Sequence, residues 1–330
     1  MSQSAILETN RKCYVPIPVD VLAPDRAIPF NLYSRSSTGA IKQVCAVGEA
    51  VTAQSLRAWE QVGVSVLYVN TTDHRLYQAF AEKMLNELAL RPDVPAPQKA
   101  RIYYQTMREL VHEACASNHI EDLAAGPRDA FANGMVSFIC EDGEALSGLL
   151  LMLSHDYYTY THMVNVSVMA AGLAYRVGLR EHDRLRDIAS GGLLHDTGKT
   201  RIDPDILNKT GRLTTEEWET LKTHPGLGLE YLHQRPDLRP TELLIVHQHH
   251  EKLDGSGYPL GLVGSEISLE AQMTAVVDVY DALTCQRPYR PALSHEAAIR
   301  ILREQAGDKL NAELVAAWQE TIERARKQGG

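Results

Sequence analysis

The sequence predicts a mainly α-helical protein preceded by a small α/β domain. Two patterns indicate this fold class. In the C-terminal half, apolar residues recur at helical spacing, namely Val166, Met169, Ala170, Leu173 and Val177. In residues 14–70, four prolines instead break the chain into short β-like runs, such as residues 15–21 and 64–69.

Three consecutive parts follow from these patterns. Residues 1–72 are predicted to form the small α/β domain, with a helix near residues 53–61. Residues 73–126 are predicted to form a helical linker. In it, residues 73–90 carry apolar side chains on one side, a proline-rich break spans residues 91–98, and a second helix covers residues 99–117. Residues 127–330 are predicted to form a helical C-terminal domain, in which residues 146–153 are a buried helix.

Composition narrows the class of protein. The chain has 330 residues, of which 44% are hydrophobic and 23% charged, and this balance is typical of globular domains. A net charge of −9 argues against binding to polymeric nucleic acid. Neither a secretory signal nor a membrane-spanning run is evident. The five cysteines show no close pairing, which is typical of reduced thiols, so we expect a cytoplasmic protein.

A histidine pair next to a glycine-rich loop is the first candidate site. His249 and His250 precede a loop that contains Asp254, Gly255, Gly257, Tyr258 and Pro259. Imidazole is a common metal ligand, and glycines let the backbone approach a bound phosphate. The pattern therefore indicates a metal site beside an anion site, although a surface histidine pair and an ordinary turn would also produce it.

A second motif places a carboxylate among apolar residues. His195 and Asp196 follow the apolar run of residues 188–194, so we expect the pair on a buried helix. Metal coordination is one way to offset the free-energy cost of burying the carboxylate. Lys199 follows His195 by four residues, which predicts that both lie on one helical face. The alternative is a core histidine beside a helix-capping aspartate.

Three further residues have the chemistry of metal ligands. His162 stands near the start of a predicted helix, His224 at a predicted helix end or bend, and Asp278 inside an apolar run. Each has a simpler interpretation, respectively a helix cap, a loop residue and a partner of an arginine. Together with the two motifs above, they supply nitrogen and oxygen ligands that suit iron, manganese or zinc.

The order of these motifs resembles the HD-GYP domain, a bacterial member of the HD phosphohydrolase superfamily. The resemblance runs from about Leu146 to the C-terminus and includes a later basic segment with Arg287 and Arg290. It implies a helical bundle that hydrolyses cyclic di-GMP by means of a metal-bridging hydroxide, with linear pGpG as the product and GMP as the alternative end product. The implied metal ligands are His162, His195, Asp196, His224, His249, His250 and Asp278.

The resemblance also assigns roles at the substrate. Asp196 is the implied bridge between two metals and, with Lys199, a catalytic residue. Lys199, Arg287 and Arg290 are the implied phosphate contacts. Substrate contact is further expected from the loop residues Asp254, Gly255, Gly257, Tyr258 and Pro259.

One departure from the family pattern concerns the number of metals. Some members bind a third metal through a glutamate one helical turn before the first ligand histidine. Here Tyr158 and Tyr157 occupy the positions four and five residues before His162. We therefore expect two divalent metal ions, iron or alternatively manganese, and no third.

Two other functions compete with a cyclic di-GMP phosphodiesterase. One is a low-activity cyclic di-GMP sensor or protein-docking module, and the other is a hydrolase of another cyclic dinucleotide. Expected partners are cyclic di-GMP, a second copy of the chain in a homodimer, and a GGDEF-type protein on the Gly-Tyr-Pro loop. No membrane partner is expected.

Overall fold

The structure is a computed structural model that describes residues 14–19, 22, 24–36, 38–117, 126–141, 145–153, 159–286 and 291–329. The chain divides into two compact units, Met1–Glu113 and Ala114–Gly330. Among the described residues, no helix combines the length and the apolar character needed to cross a membrane.

The N-terminal unit contains a four-stranded antiparallel sheet. Its strands lie in the order β1 (Tyr14–Pro18), β6 (Val66–Asn70), β3 (Leu32–Arg35) and β4 (Ile41–Cys45). A separate strand pair joins β2 (Arg26–Ala27) to β5 (Ala50–Val51), and helix α1 spans Ala53–Gln61. Ile17 pairs with Leu67, and both side chains are fully buried. The predicted small α/β domain is confirmed.

Two helices complete this part of the chain, α2 (His74–Ala89) and α3 (Ala96–Ser117). Tyr77, Ala81 and Leu85 recur at four-residue spacing on α2 and are buried, and the Tyr103 hydroxyl of α3 donates a 2.5 Å hydrogen bond to the Leu85 carbonyl. The predicted break over residues 91–98 is too long. Helix α3 already begins at Ala96 and contains Pro97 in its first turn. A proline at that position removes no intrahelical hydrogen bond.

The described part of the C-terminal unit is helical. Its first six helices are α4 (Gly126–Glu141), α5 (Ala145–Met152), α6 (Thr159–Arg176), α7 (His182–Leu194), α8 (Pro204–Leu207) and α9 (Thr215–Leu221). The remaining five are α10 (His224–Leu232), α11 (Pro240–Gln248), α12 (Leu269–Thr284), α13 (His295–Gln305) and α14 (Ala312–Gly329). The predicted mainly α fold is confirmed.

Helices α6 and α7 pack against each other at the centre of this unit, with α12 on α6 and with α4 and α11 on α7. The Ser167 hydroxyl of α6 donates a 2.5 Å hydrogen bond to the Ala189 carbonyl of α7. His162 precedes this contact on α6, whereas His195 follows it just after α7. The antiparallel pair therefore brings both histidines to the same end.

Candidate metal centre

All seven side chains that were expected as metal ligands lie together in the C-terminal unit. They form two adjoining groups, and within each group the candidate ligand atoms lie within 4.8 Å of one another. One group contains His162, His195 and Asp278, and the other contains Asp196, His224, His249 and His250. Residues from five different helices and their ends thus converge on one buried position.

Asp196 stands between the two groups. Its Oδ1 lies 3.3 Å from His224 Nε2 and 3.8 Å from His249 Nε2. Its Oδ2 lies 3.4 Å from His195 Nε2 and 3.7 Å from His162 Nε2. Because each carboxylate oxygen faces a different histidine pair, this one side chain is placed to ligate two cations.

The His-Asp pair was expected on a buried helix, but it lies just after the C-terminal end of one. Helix α7 ends at Leu194, His195 caps it, and residues 197–201 form a 3-10 turn. A Cβ atom on Gly198 would lie only 1.9 Å from the His224 carbonyl oxygen and 2.6 Å from Gly228 N. The glycine therefore lets this turn pack directly against α10, which brings Asp196 next to His224.

The tighter turn also changes the surroundings of Lys199. Its side chain was expected on one helical face with His195, but its ammonium donates a 2.6 Å hydrogen bond to Asp196 Oδ2. The Lys199 side chain is one quarter exposed, whereas Asp196 is buried. Lys199 thus connects the buried carboxylate to solvent-accessible space.

Four histidines are held so that Nε2 points into the centre. The Nδ1 atoms of three of them contact main-chain carbonyls three residues earlier: His195 with Gly192 at 2.7 Å, His224 with Leu221 at 2.8 Å, and His249 with Val246 at 2.9 Å. His162 Nδ1 instead contacts Asp281 Oδ2 at 2.7 Å. Metal-binding histidines commonly use their second ring nitrogen in this way, which fixes the tautomer and the ring orientation.

Two buried polar atoms in the centre lack hydrogen bonds. His195 Nε2 and Asp196 Oδ1 have no hydrogen-bond partner among the described residues. Leaving such a group unsatisfied costs about 1–3 kcal/mol. A bound cation would satisfy both atoms, so these residues fit a metal ion.

The ionisation of the site also suits metal ligation. Burial alone would raise the pKa of Asp196, but the charge of Lys199 and contacts with His195 hold that pKa well below its ordinary value. Burial and the neighbouring histidines lower the pKa values of His249 and His250 well below 6.5. Divalent metals require this combination of a charged carboxylate and neutral imidazoles.

The pKa of His162 is shifted in the opposite direction from those of His249 and His250. Burial lowers its pKa, but hydrogen bonds to Asp278 and Asp281 outweigh that effect and raise the pKa to about 9. Its Nε2 lies 3.0 Å from Asp278 Oδ1. To ligate a divalent cation, His162 would have to give up this proton.

The Gly-Tyr-Pro loop borders the second group. The Tyr258 ring lies 4.7 Å from the His250 ring, and the two planes are inclined by 33°. Burial, with the negative charge of Asp278 and Asp196, raises the pKa of Tyr258, so its hydroxyl stays protonated. A Cβ on Gly257 would lie 2.3 Å from Lys252 N, so only glycine fits where the loop folds back on the chain after His250.

The other expected loop residues lie farther out. Asp254 is exposed, and its Oδ1 accepts hydrogen bonds from Ser256 N at 2.9 Å and Ser256 Oγ at 2.6 Å. Gly255 has a positive φ of 78°, and Pro259 is exposed. Four residues of interest lie outside the described part of the chain, namely Arg287 and Arg290, and Tyr157 and Tyr158.

Comparison with known families identifies the protein family to which the chain belongs. Residues 150–314 match the model of the HD domain family. The chain belongs to the HD domain family. The family resemblance that its motifs indicated is thereby confirmed.

The relatives of this HD domain include phosphodiesterases. "Cyclic di-GMP phosphodiesterase PA4108" of Pseudomonas aeruginosa is 36% identical over 204 residues, which cover 61% of this chain and 45% of that protein. "3'3'-cGAMP-specific phosphodiesterase 3" of Vibrio cholerae is 34% identical over 167 residues, which cover 50% of this chain and 35% of that protein. The chain therefore spans less than half the length of these two relatives.

A solved structure shares the fold. The protein Bd1817 of Bdellovibrio bacteriovorus, described as an HDG"Y"P protein, superimposes with a TM-score of 0.65 and covers 94% of this chain and 99% of its own. The two sequences are 20% identical, so the likeness shows the fold alone.

The HD domain contains two supporting carboxylates that sequence reasoning missed. Asp281 binds His162, as described above, and its Oδ1 accepts a 2.9 Å hydrogen bond from Asn165 Nδ2. Buried Glu251 accepts hydrogen bonds from Leu260 N at 2.7 Å and Leu262 N at 3.0 Å, which holds the Gly-Tyr-Pro loop. A weak signal existed for Asp281, because it follows Asp278 by three residues in an apolar helix.

Proposed function

We propose that the HD domain is a metal-dependent phosphodiesterase that hydrolyses cyclic di-GMP to linear pGpG. The observation that carries the proposal is the position of Asp196, whose two carboxylate oxygens face two separate groups of metal-ligand side chains. The name of the Pseudomonas aeruginosa relative supports the choice of substrate.

The chemistry of the reaction explains why two cations are needed. A phosphodiester repels an incoming nucleophile through its own negative charge. Two divalent ions held by these residues would supply water of lowered pKa and would neutralise charge on the phosphate oxygens. We assign His162, His195 and Asp278 to one ion, His224, His249 and His250 to the other, and Asp196 to both.

Residues around the two ions would hold the substrate. Lys199 contacts the buried Asp196 and is itself partly exposed, so its ammonium can reach a phosphate oxygen. We also assign phosphate contacts to Arg287 and Arg290, since guanidinium groups bind phosphate through paired hydrogen bonds. Tyr258 and its loop, from Asp254 to Pro259, would form the opposite edge of the substrate site.

We propose two ions per chain, iron or alternatively manganese, because the described ligands form two groups and no carboxylate stands four or five residues before His162. The ligand types suit both metals. Metal analysis of anaerobically purified protein should give a ratio near two. A ratio near three would contradict this part of the proposal.

A second candidate substrate also has support. A relative from Vibrio cholerae is named as specific for 3'3'-cGAMP, so a mixed cyclic dinucleotide is the alternative substrate. Anaerobically purified protein should be assayed chromatographically with cyclic di-GMP, 3'3'-cGAMP and cyclic di-AMP in parallel. We expect cyclic di-GMP to have the highest kcat/KM.

The variant Asp196→Ala separates catalysis from binding. Loss of the shared carboxylate should abolish hydrolysis of every cyclic dinucleotide, so equal turnover by variant and wild type would overturn the mechanism. Tight binding of cyclic di-GMP without turnover by either protein would identify a sensor instead.

We further propose a cytoplasmic homodimer that docks a GGDEF-type protein on the Gly-Tyr-Pro loop.

A further inference from the structure

An exposed tryptophan lies beside the metal centre. Trp218 belongs to the short helix α9 and is 45% exposed. Its ring centroid lies 6.3 Å from that of Tyr258, with an angle of 81° between the planes. Tyr258 in turn lies against the metal-ligand side chain His250. The three rings form a row that leads from the buried centre to the surface.

Trp218 is held in a fixed position relative to the metal ligands. Helix α9 begins with a capping box between Thr214 and Glu217, and Lys209 binds the Glu217 carboxylate at 2.6 Å and 2.7 Å. The same helix ends at Leu221, whose carbonyl oxygen contacts Nδ1 of His224. One rigid segment therefore positions both the exposed indole and a metal ligand.

We propose that Trp218 binds a purine base of the substrate by stacking. The inference rests on the proposed function, because a cyclic dinucleotide with its phosphodiester at the metal centre carries its bases on the sugars beyond it. Indole rings stack on bases of any sequence, and the stacking free energy is about 1–3 kcal/mol per base. Trp218 would thus contribute to affinity for the nucleotide and leave the chemical step to the metal-binding residues.

The position of Trp218 fits this role better than a packing role. Helix α9 contains no buried residue, and the indole packs on Tyr258 through an edge-to-face contact, so a large part of its surface stays accessible. Tyr258 itself is largely covered. An indole that served only to cover Tyr258 would need less exposed area, whereas a base-stacking ring needs an open face.

Three variants test the proposal in the full-length, metal-loaded protein. Trp218→Ala should raise KM for cyclic di-GMP about 5- to 150-fold, which corresponds to the stacking free energy above. The value of kcat and the metal content should stay within about twofold of wild type. Trp218→Phe, which keeps an aromatic face, should restore most of the affinity. Glu216→Ala is the matched control, because Glu216 projects from the same helix about 200° away.

A binding measurement that needs no turnover separates this inference from the proposed function. GMP carries a base and a monoester, whereas ribose 5-phosphate carries the same phosphate without a base. We expect GMP, and not ribose 5-phosphate, to quench tryptophan fluorescence in the wild type, and we expect the quenching to disappear in Trp218→Phe. Quenching in a protein that does not hydrolyse cyclic di-GMP would refute the proposed function and retain the base-binding role.

Two results would overturn the inference itself. The first is an unchanged KM in Trp218→Ala in a protein that does hydrolyse cyclic di-GMP. The second is GMP quenching that persists in Trp218→Phe, because Trp59 or Trp318 would then be the reporter. If Trp218→Ala fails to fold, the fluorescence comparison between wild type and Trp218→Phe still decides the question.

Discussion

Single side chains behind the ligands control the direction in which the ligands point. Asp281 is the clearest case, because its carboxylate contacts His162 Nδ1 at 2.7 Å and so turns Nε2 towards Asp278 and Asp196. Asn165 fixes the second oxygen of Asp281. The orientation of His162 thus depends on a residue outside the seven candidate ligands.

Removal of the charge of Asp281 should weaken metal binding. We expect Asp281→Asn to lower metal affinity or activity about 10- to 100-fold, the usual effect of losing such a supporting carboxylate. Metal titration followed by assay would measure the loss, and excess metal should restore activity. Asp183→Asn, at an exposed carboxylate on α7, is the control and should behave as wild type. Equal metal affinity in the two variants would contradict the supporting role.

At the same scale, the sequence indicated the candidate ligands but not the side chains that support them. The seven candidate ligands, which the structure brings together, could be proposed because each is a polar residue of metal-binding type in an informative local context, as with Asp278 in its apolar run. Asp281 and Glu251 act through contacts with residues 119 and 9 to 11 positions away. Such contacts depend on the fold, and the spacing of Asp281 from Asp278 was the only local signal of either residue.

Among the secondary-structure elements, the turn after α7 is one that residue spacing did not predict. Helical spacing placed His195 and Lys199 on one face, but the chain leaves the α-helix at His195 and continues as a 3-10 turn. The turn is stabilised by its fit against α10, which local propensity does not include. Helix α1, in contrast, has the bounds that its residues indicated, because Thr52 provides a local N-terminal cap.

The close approach at Gly198 leads to a prediction for the two elements that it joins. Gly198→Ala should separate the turn from α10 and displace His224 from Asp196, because the added methyl would overlap the His224 carbonyl. We expect a loss of at least about 1–3 kcal/mol in the free energy of unfolding. Chemical denaturation and metal analysis would measure both effects.

Gly226 offers a matched control for Gly198. It lies two residues after His224, and a Cβ there meets nothing within 4 Å. Gly226→Ala should therefore keep wild-type stability and metal content. Similar losses in both variants would show that α10 tolerates no substitution in general, and the specific contact of Gly198 would then be refuted.

The Gly-Tyr-Pro loop depends on a buried carboxylate in a similar way. In Glu251→Gln, the amide offers one oxygen where the carboxylate offers two, so one of the Leu260 and Leu262 amides loses its acceptor. We expect faster hydrogen exchange at these two amides and a several-fold higher KM for cyclic di-GMP, with metal content unchanged. The control is Glu266→Gln, which alters an exposed acceptor for Val263 N in the same loop. Wild-type exchange rates at Leu260 and Leu262 in Glu251→Gln would disprove the link.

For the whole molecule, the candidate metal centre lies entirely within one of the two compact units. All seven ligand side chains belong to Ala114–Gly330. The same unit contains a second buried polar cluster, in which fully buried Arg128 of α4 lies 3.7 Å from Glu242 of α11, and Ser190 of α7 donates to Glu242. That cluster links three helices without a metal, so the fold of this unit does not rest on the metal centre alone.

Metal removal should therefore destabilise this unit without unfolding it. A ligand present at a thousand times its dissociation constant adds about 4 kcal/mol to stability. For a unit of this size, each kcal/mol shifts Tm by about 2–4 °C, so the loss of each ion should lower its Tm by roughly 8–16 °C. Calorimetry of the full chain should show this shift in one transition, while the transition of the N-terminal unit stays in place.

In Asp196→Ala the chelator should have little effect, because the side chain shared by the two groups is missing. Identical wild-type curves with and without chelator would mean that the seven residues hold no metal, and the two-ion mechanism would fall with them.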